Sequence, residues 1–119
     1  MSNLIVDNLP NQEPRMATAW CNFDATGTLT IRDSYNVASI TDNAVGKYTA
    51  NYIESMGNTN YTFVGIGEVS STNLAVNPLQ AWDYQIASTQ FKCFFVSGGT
   101  AGFTDRPFNS FHVFGVKTL

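Results

Sequence analysis

Charged side chains are scarce in this sequence. Only 13% of its 119 residues are Asp, Glu, Lys or Arg, and six basic residues against nine acidic ones leave a formal net charge of −3. Because binding to a phosphate backbone requires a cluster of Lys and Arg, we expect no nucleic-acid partner. Apolar runs are also short, as in Leu4-Ile5-Val6, whereas a membrane-spanning helix needs about 20 apolar residues, so we expect no membrane insertion.

Cysteine and histidine, the usual ligands of structural metal sites, are also few. Cys21 and Cys93 are far apart in the chain and lack the close spacing of a zinc site or redox motif, so we expect buried free thiols and no cofactor. The single histidine, His112, lies in an alternating stretch that is typical of a packed or surface strand residue. No serine is set in a nucleophile elbow, so the sequence does not favour an enzyme with a Ser-His-Asp triad.

Helical periodicity is nearly missing, and alternation of apolar and polar residues replaces it. In the stretch 28–32, Leu29 and Ile31 share one face, and the stretch 47–52 places its tyrosines on one face in the same way. This pattern predicts an all-β fold, which we interpret as an antiparallel β-sandwich. The predicted strands are 4–7, 17–23, 28–35, 37–42, 47–53, 61–69, 81–86, 90–96 and 110–117.

Most of the predicted strands are separated by short stretches with turn chemistry, such as Asp24-Ala25-Thr26-Gly27. Short connections favour pairing between consecutive strands, as in hairpins. The exceptions are residues 70–80 and 97–109, which are too long for tight hairpins and are places where function commonly gathers. Three segments, 61–67, 91–96 and 111–116, are apolar on both faces, which indicates inner strands or strands covered by a neighbouring subunit.

The first sixteen residues differ in composition from the rest. Pro10 and Pro14 cannot donate backbone hydrogen bonds, so the polar stretch that holds them is unsuited to a central sheet position. We predict that residues 1–16 form an N-terminal arm or anchor and that residues 17–119 form a single β-sandwich domain.

Carboxylates and glycines offer few catalytic arrangements. Asp24 and Asp42 are placed for turn formation, which leaves Glu68 and Asp83 as the two carboxylates in settings that could perturb a pKa. The stretch Gly65-Ile66-Gly67 lacks the third glycine and the helix of a dinucleotide site. It indicates a strand on which another chain or an aromatic ring approaches closely.

Aromatic residues in or near the longer connections are the candidate binding residues. Flat apolar rings with polar neighbours commonly hold sugars and peptide surfaces. The alternative is that these rings cap the core or fill a subunit interface. The candidates for receptor contact are Trp82, Tyr84, Phe103 and Phe108.

Several short motifs follow one another between residues 19 and 61. They are Ala19-Trp20-Cys21-Asn22-Phe23-Asp24, Gly27-Thr28-Leu29-Thr30-Ile31-Arg32, Ser34-Tyr35-Asn36-Val37, Ser39-Ile40-Thr41-Asp42-Asn43, Gly46-Lys47-Tyr48-Thr49 and Asn60-Tyr61. This series resembles a family of bacteriophage tail-fibre and tail-associated C-terminal domains, whose last strand is similar to Val113-Phe114-Gly115. The resemblance is close over residues 19–61 and looser beyond them, and residues 70–80 follow no pattern of the family.

The resemblance implies a non-enzymatic virion protein that assembles as a homotrimer. On this interpretation the arm would bind other virion proteins, and the domain would contribute to host attachment by contacting a surface glycan or protein. Fibre domains combine low charge with apolar strands that identical neighbours cover, which agrees with the composition. We also predict that the strand with Trp20 and Phe23 lies beside the strand 111–116, around a core that contains both cysteines.

Three other functions fit the same residues. One is a head-decoration or collar protein that never meets a receptor. Another is a free carbohydrate-binding module that uses Trp82, Tyr84 and aromatic residues of the loops. The third is a polysaccharide depolymerase, which would need Glu68 and Asp83 to face each other across the substrate.

Overall fold

The computed structural model describes residues 17–68, 76–97 and 100–117. Within these ranges the chain forms nine strands and no helix, which confirms the all-β prediction. The predicted strand 4–7 and the arm 1–16 lie outside the described residues. The strands are β1 (Ala17–Asp24), β2 (Thr30–Tyr35), β3 (Val37–Ala44), β4 (Lys47–Tyr52), β5 (Thr62–Glu68), β6 (Val76–Tyr84), β7 (Ser88–Ser97), β8 (Thr100–Phe103) and β9 (Phe108–Phe114).

All nine strands belong to one antiparallel sheet, with the order β2-β1-β9-β5-β6-β7-β4-β3 and with β8 added beside β7. The two outermost strands of this path, β2 and β3, are consecutive in the chain and are separated only by Asn36. The sheet therefore curls until its two edges meet at that residue, giving a nearly closed barrel. Shifts of register in β1, β2, β3 and β6 assist the curvature, because bulges bend and twist a strand. The predicted two-layer sandwich is not confirmed.

Of the pairings predicted between consecutive strands, those of β1 with β2, β3 with β4 and β6 with β7 are confirmed, and those of β2 with β3 and β4 with β5 are wrong. The strands β2 and β3, β4 and β5, and β8 and β9 do not pair, because β4 pairs with β7 and β5 pairs with β9. The segment 70–80, predicted as a loop, already contains the start of β6, and the segment 97–109 contains β8. The pairing of β1 with β9 is confirmed, with Cys21 opposite Phe111.

The core is a cluster of aromatic rings inside the barrel. Phe63 and Phe111 stack with their ring centroids 4.7 Å apart, and Phe91 lies 5.0 Å from Phe63 and 5.2 Å from Phe111. Cys21 and Cys93 are buried beside these rings as free thiols, as predicted. The alternation of the strands explains the arrangement, since each of these residues occupies an inward position.

Asn36 forms the corner at which the chain passes from one sheet edge to the other. Its backbone is left-handed, with φ of 57°, and its side chain is buried. The Nδ2 group donates hydrogen bonds to the carbonyls of Thr18 and Glu54, both at 3.1 Å, and Oδ1 accepts one from the Glu54 N–H at 2.7 Å. These three bonds tie the corner to β1 and to the segment after β4.

Candidate functional site

Two lysines and two aromatic rings meet on the outside of the barrel. We call Lys47, Trp82, Lys92 and Phe103 the lysine–aromatic platform; they line a shallow depression of about 220 Å³. The Lys47 Nζ lies 4.6 Å from the centroid of the Phe103 ring, and the Lys92 Nζ lies 5.5 Å from Trp82 and 5.9 Å from Phe103. Both rings remain exposed, Trp82 by 44% and Phe103 by 42%.

Sheet register places the two lysines together. Lys47 of β4 is directly opposite Lys92 of β7, and each lysine precedes or follows a core residue, so both point outward. Like charges directly opposite each other destabilise a sheet, and the nearby rings offset part of this repulsion by cation–π attraction. The ion pairs of Arg32 with Asp24 and of Lys117 with Glu54 use neither platform lysine.

A bulge in β6 directs Trp82 to the platform and Tyr84 away from it. Ala81 is opposite Phe91 and Asp83 is opposite Gln90, so Trp82 is the extra residue between them. The bulge reverses the alternation, and Tyr84 consequently packs inward against Tyr61, with ring centroids 5.2 Å apart. Trp82 and Tyr84 therefore do not share one surface.

A hydrogen-bonded clasp fixes the backbone beneath the platform. Asp105 accepts hydrogen bonds from the Gly46 N–H at 2.8 Å and from the Tyr48 hydroxyl. The Cys93 N–H donates to the Gly46 carbonyl at 2.8 Å, and the Thr104 N–H donates to the Cys93 carbonyl at 3.0 Å. Because these residues adjoin Lys47, Lys92 and Phe103 in the chain, the clasp holds three platform residues in place before any ligand binds.

The four candidate residues for receptor contact thus lie in three different parts of the barrel. Trp82 and Phe103 are brought together, Tyr84 joins the core, and Phe108 lies elsewhere on the barrel, with the Arg32 guanidinium 4.8 Å from its ring centroid. Lys47 and Lys92 are not among the candidates that the sequence suggests. The signal that could find them is the outward position of each lysine, but only the register of two distant strands shows that they are neighbours.

A second exposed surface covers the strands β2, β1, β9 and β5. Tyr35, Trp20, His112 and Val64 form one row across these strands, and we call this row, together with Ile66 and Phe114, the outer aromatic face. The imidazole of His112 stacks between Trp20 and Phe114, at centroid distances of 6.5 and 6.4 Å. His112 is therefore a surface strand residue, as predicted. Tyr35, Val64 and Ile66 are each exposed by more than 40%.

The two carboxylates nominated for glycoside cleavage are not brought together. Glu68 is opposite Val76 at the first residue of β6, and Asp83 lies near the other end of that strand. At about 3.3 Å per residue, this separates them by roughly 20 Å, beyond the roughly 5–10 Å of a glycosidase pair. Asp24 instead has a turn role, as predicted: the Thr26 hydroxyl and N–H both donate to it, and these bonds lower its pKa.

The close approach predicted for the stretch Gly65-Ile66-Gly67 is confirmed. A Cβ on Gly65 would lie 2.6 Å from the Ser110 carbonyl oxygen and 2.8 Å from the Phe111 Cβ. Neither atom can move without disturbing the sheet, so the site requires glycine. The small residues therefore serve packing between β5 and β9.

Burial makes both cysteine thiols weaker acids than an exposed thiol. It raises the pKa of Cys21 to about 12 and that of Cys93 to about 11, from an ordinary value of 9.0. Above pH 9.0 the unfolded chain loses the protons of both thiols, whereas the folded chain keeps them. The thiols therefore do not reduce the free energy of unfolding below pH 9.0, and they reduce it progressively as the pH rises above that value. The expected slope is about 1.4 kcal/mol per pH unit for each thiol.

Urea unfolding followed by circular dichroism between about pH 7 and about pH 10 measures this loss. The double variant Cys21→Ala and Cys93→Ala, although less stable at neutral pH, should show a much shallower decline over the same interval. Equal declines in the two proteins would contradict the assignment to the thiols. Burial also raises the pKa values of Tyr48 and Tyr52 above their ordinary 10.0, so a further loss begins above that pH.

The described residues hold no group of three His, Cys, Asp or Glu side chains close enough to bind a metal ion. In the same ranges no helix is long and apolar enough to cross a membrane. Comparison of this chain with protein-family models, with curated proteins and with solved structures finds no match.

Proposed function

We propose that this chain is a non-enzymatic structural protein of a bacteriophage virion, a tail-fibre or appendage domain that contributes to host attachment. The motifs between residues 19 and 61 support this proposal through their resemblance to phage tail domains. The fold agrees with it, because a low-charge antiparallel sheet curled into a barrel makes a stiff module. The arm, residues 1–16, would then dock the domain on other virion proteins.

The outer aromatic face is the observation that carries the proposal. A chain with only 13% charged residues places apolar or aromatic side chains at neighbouring outward positions of four adjacent strands. Contiguous exposed apolar surface of this kind marks an interaction site, and closed rotational symmetry lets identical copies cover it. We propose that the face lies between the subunits of a homotrimer.

Light scattering after gel filtration tests this assembly. The expected mass is three times the 13.0 kDa of one chain, about 39 kDa. Val64→Glu, on the β5 side of the face, should reduce the mass to that of one chain at micromolar concentration while the circular dichroism spectrum is unchanged. A charged side chain buried without a partner opposes association strongly.

Val45→Glu is the matched control, because Val45 is 61% exposed and lies in the turn between β3 and β4, away from the outer aromatic face. This variant should keep the trimer mass. A mass of one chain for the unaltered protein, or equal effects of the two variants, would reject the assembly.

A carbohydrate-binding module is the second candidate function, and the lysine–aromatic platform favours it. Two exposed rings with polar neighbours are the usual setting for sugar recognition. This function is also compatible with the first candidate, since host attachment by a fibre domain requires a surface of this kind.

A further inference from the structure

We propose that the lysine–aromatic platform binds an acidic saccharide, with the sugar ring on Trp82 and its anionic group between Lys47 and Lys92. The inference rests on the proposed attachment function and names the chemical class of the ligand. The shared chemistry is an anionic group on a sugar ring, which a uronic acid supplies as carboxylate and a sulfated sugar as sulfate ester.

Charge is the first argument. The chain has six basic residues and a net charge of −3, yet two of the six face each other directly across β4 and β7. This arrangement opposes folding, and among residues 17–68, 76–97 and 100–117 no carboxylate forms an ion pair with either lysine. An anion placed between the two ammonium groups would remove the repulsion and gain two charge-assisted hydrogen bonds.

Shape is the second argument. The bulge in β6 sets Trp82 on the outside of the barrel with 44% of its surface exposed, and Phe103 forms a second wall. The C–H face of a pyranose packs well on an indole ring. The depression of about 220 Å³ is smaller than the roughly 300 Å³ at which pockets for drug-sized ligands begin, and it suits a single sugar residue.

The same features argue against other occupants. A neutral sugar would use the indole ring of Trp82 but would not need two lysines directly opposite each other. A nucleic acid needs a run of cations along its backbone, whereas the platform offers two on an acidic protein. An acidic peptide would satisfy the lysines without needing the flat face of Trp82.

Titration calorimetry with three oligosaccharides of equal length tests the proposal. We expect oligogalacturonate, or a sulfated galactan oligosaccharide, to bind at least about tenfold more tightly than a neutral galactan oligosaccharide, and the affinity to fall with added salt. Comparison of the first two identifies the anionic group. Trp82→Ala and the double variant Lys47→Gln with Lys92→Gln should each weaken binding about tenfold or more.

Lys117→Gln is the matched control. The Lys117 Nζ also lies over an aromatic ring, 5.2 Å from the centroid of Tyr35, but it is separate from the platform. This variant should bind the acidic saccharide like the unaltered protein.

The outcomes separate this inference from the proposed function. Equal binding of neutral and acidic saccharides, lost in Trp82→Ala, would overturn the inference and leave carbohydrate attachment standing. Tighter binding of an acidic peptide or of single-stranded DNA than of either acidic saccharide would also overturn it. Failure of all three saccharides to bind would reject the inference and the carbohydrate-binding function together, while the trimer mass tests the structural role independently.

Discussion

Replacing Phe91 by alanine is expected to lower the free energy of unfolding by about 3–5 kcal/mol. Phe91 is completely buried and lies within 6.0 Å, between ring centroids, of four other rings: Phe23, Tyr48, Phe63 and Phe111. Removal of the Phe91 ring loses the free energy gained by burying its apolar surface. It also removes the contacts of this ring with rings from four other strands. The surrounding strands are fixed by hydrogen bonds, so the cavity cannot fully collapse.

The loss would be a large part of the total stability, because domains of this size are stable by about 5–15 kcal/mol. Urea unfolding followed by tryptophan fluorescence and by circular dichroism gives the change from the midpoint and slope. Phe103→Ala is the matched control, since Phe103 is 42% exposed on the platform, and a change below about 1 kcal/mol is expected for it. Similar losses for the two variants would show that the Phe91 ring is not the centre of the core.

Alternation along single strands made the inner and outer faces predictable. The buried positions of β4, at Tyr48, Ala50 and Tyr52, follow directly from the pattern of that segment, and both buried cysteines were expected for the same reason. The pairing of β1 with β9 was also predicted, as an arrangement that closes the domain around a core containing both cysteines. The buried positions of β4 and the buried cysteines depend on information within each strand and on the two-residue period of its side chains.

The closure of the barrel and the platform were not predictable in the same way. Pairing of β4 with β7 depends on a contact between residues far apart in the chain, and no local pattern records it. The bulge at Trp82 contains no glycine or proline from which it could be predicted. Because of this bulge, Trp82 faces the platform and Tyr84 faces the core. One extra residue in a strand reverses the side-chain alternation beyond it.

Asn36 is another feature that the strand pattern does not predict. The residues on both sides of it have the pattern of a strand, although the chain turns a corner at Asn36. Only Asn36 lies between the predicted strands 28–35 and 37–42. The sequence alone therefore suggests that these two strands form one hairpin with a short connection. The Asn36 side chain provides the missing signal: Asn is among the few residues that adopt the left-handed conformation readily. The structure places it there with φ of 57°, and β2 and β3 therefore diverge to opposite edges of the sheet.

Substitution of Asn36 by alanine is expected to destabilise the fold by about 3 kcal/mol or more. The change leaves the carbonyls of Thr18 and Glu54 and the Glu54 N–H without their buried partners, and each such loss costs about 1–3 kcal/mol unless water replaces the bond. It also sets a residue that disfavours positive φ at 57°, which adds about 1 kcal/mol. Urea unfolding measures the sum.

Asn36→Gly separates the two contributions, because glycine adopts the left-handed conformation freely but lacks the three side-chain bonds. It should be about 1 kcal/mol more stable than Asn36→Ala and still clearly less stable than the unaltered chain. Asn43→Ala controls for the residue type, since Asn43 is exposed and its side chain bonds only Thr49 among the described residues. If Asn36→Ala were as stable as Asn43→Ala, the corner would not hold the two edges together. The two sheet edges, β2 and β3, would then be held near each other by the aromatic core alone.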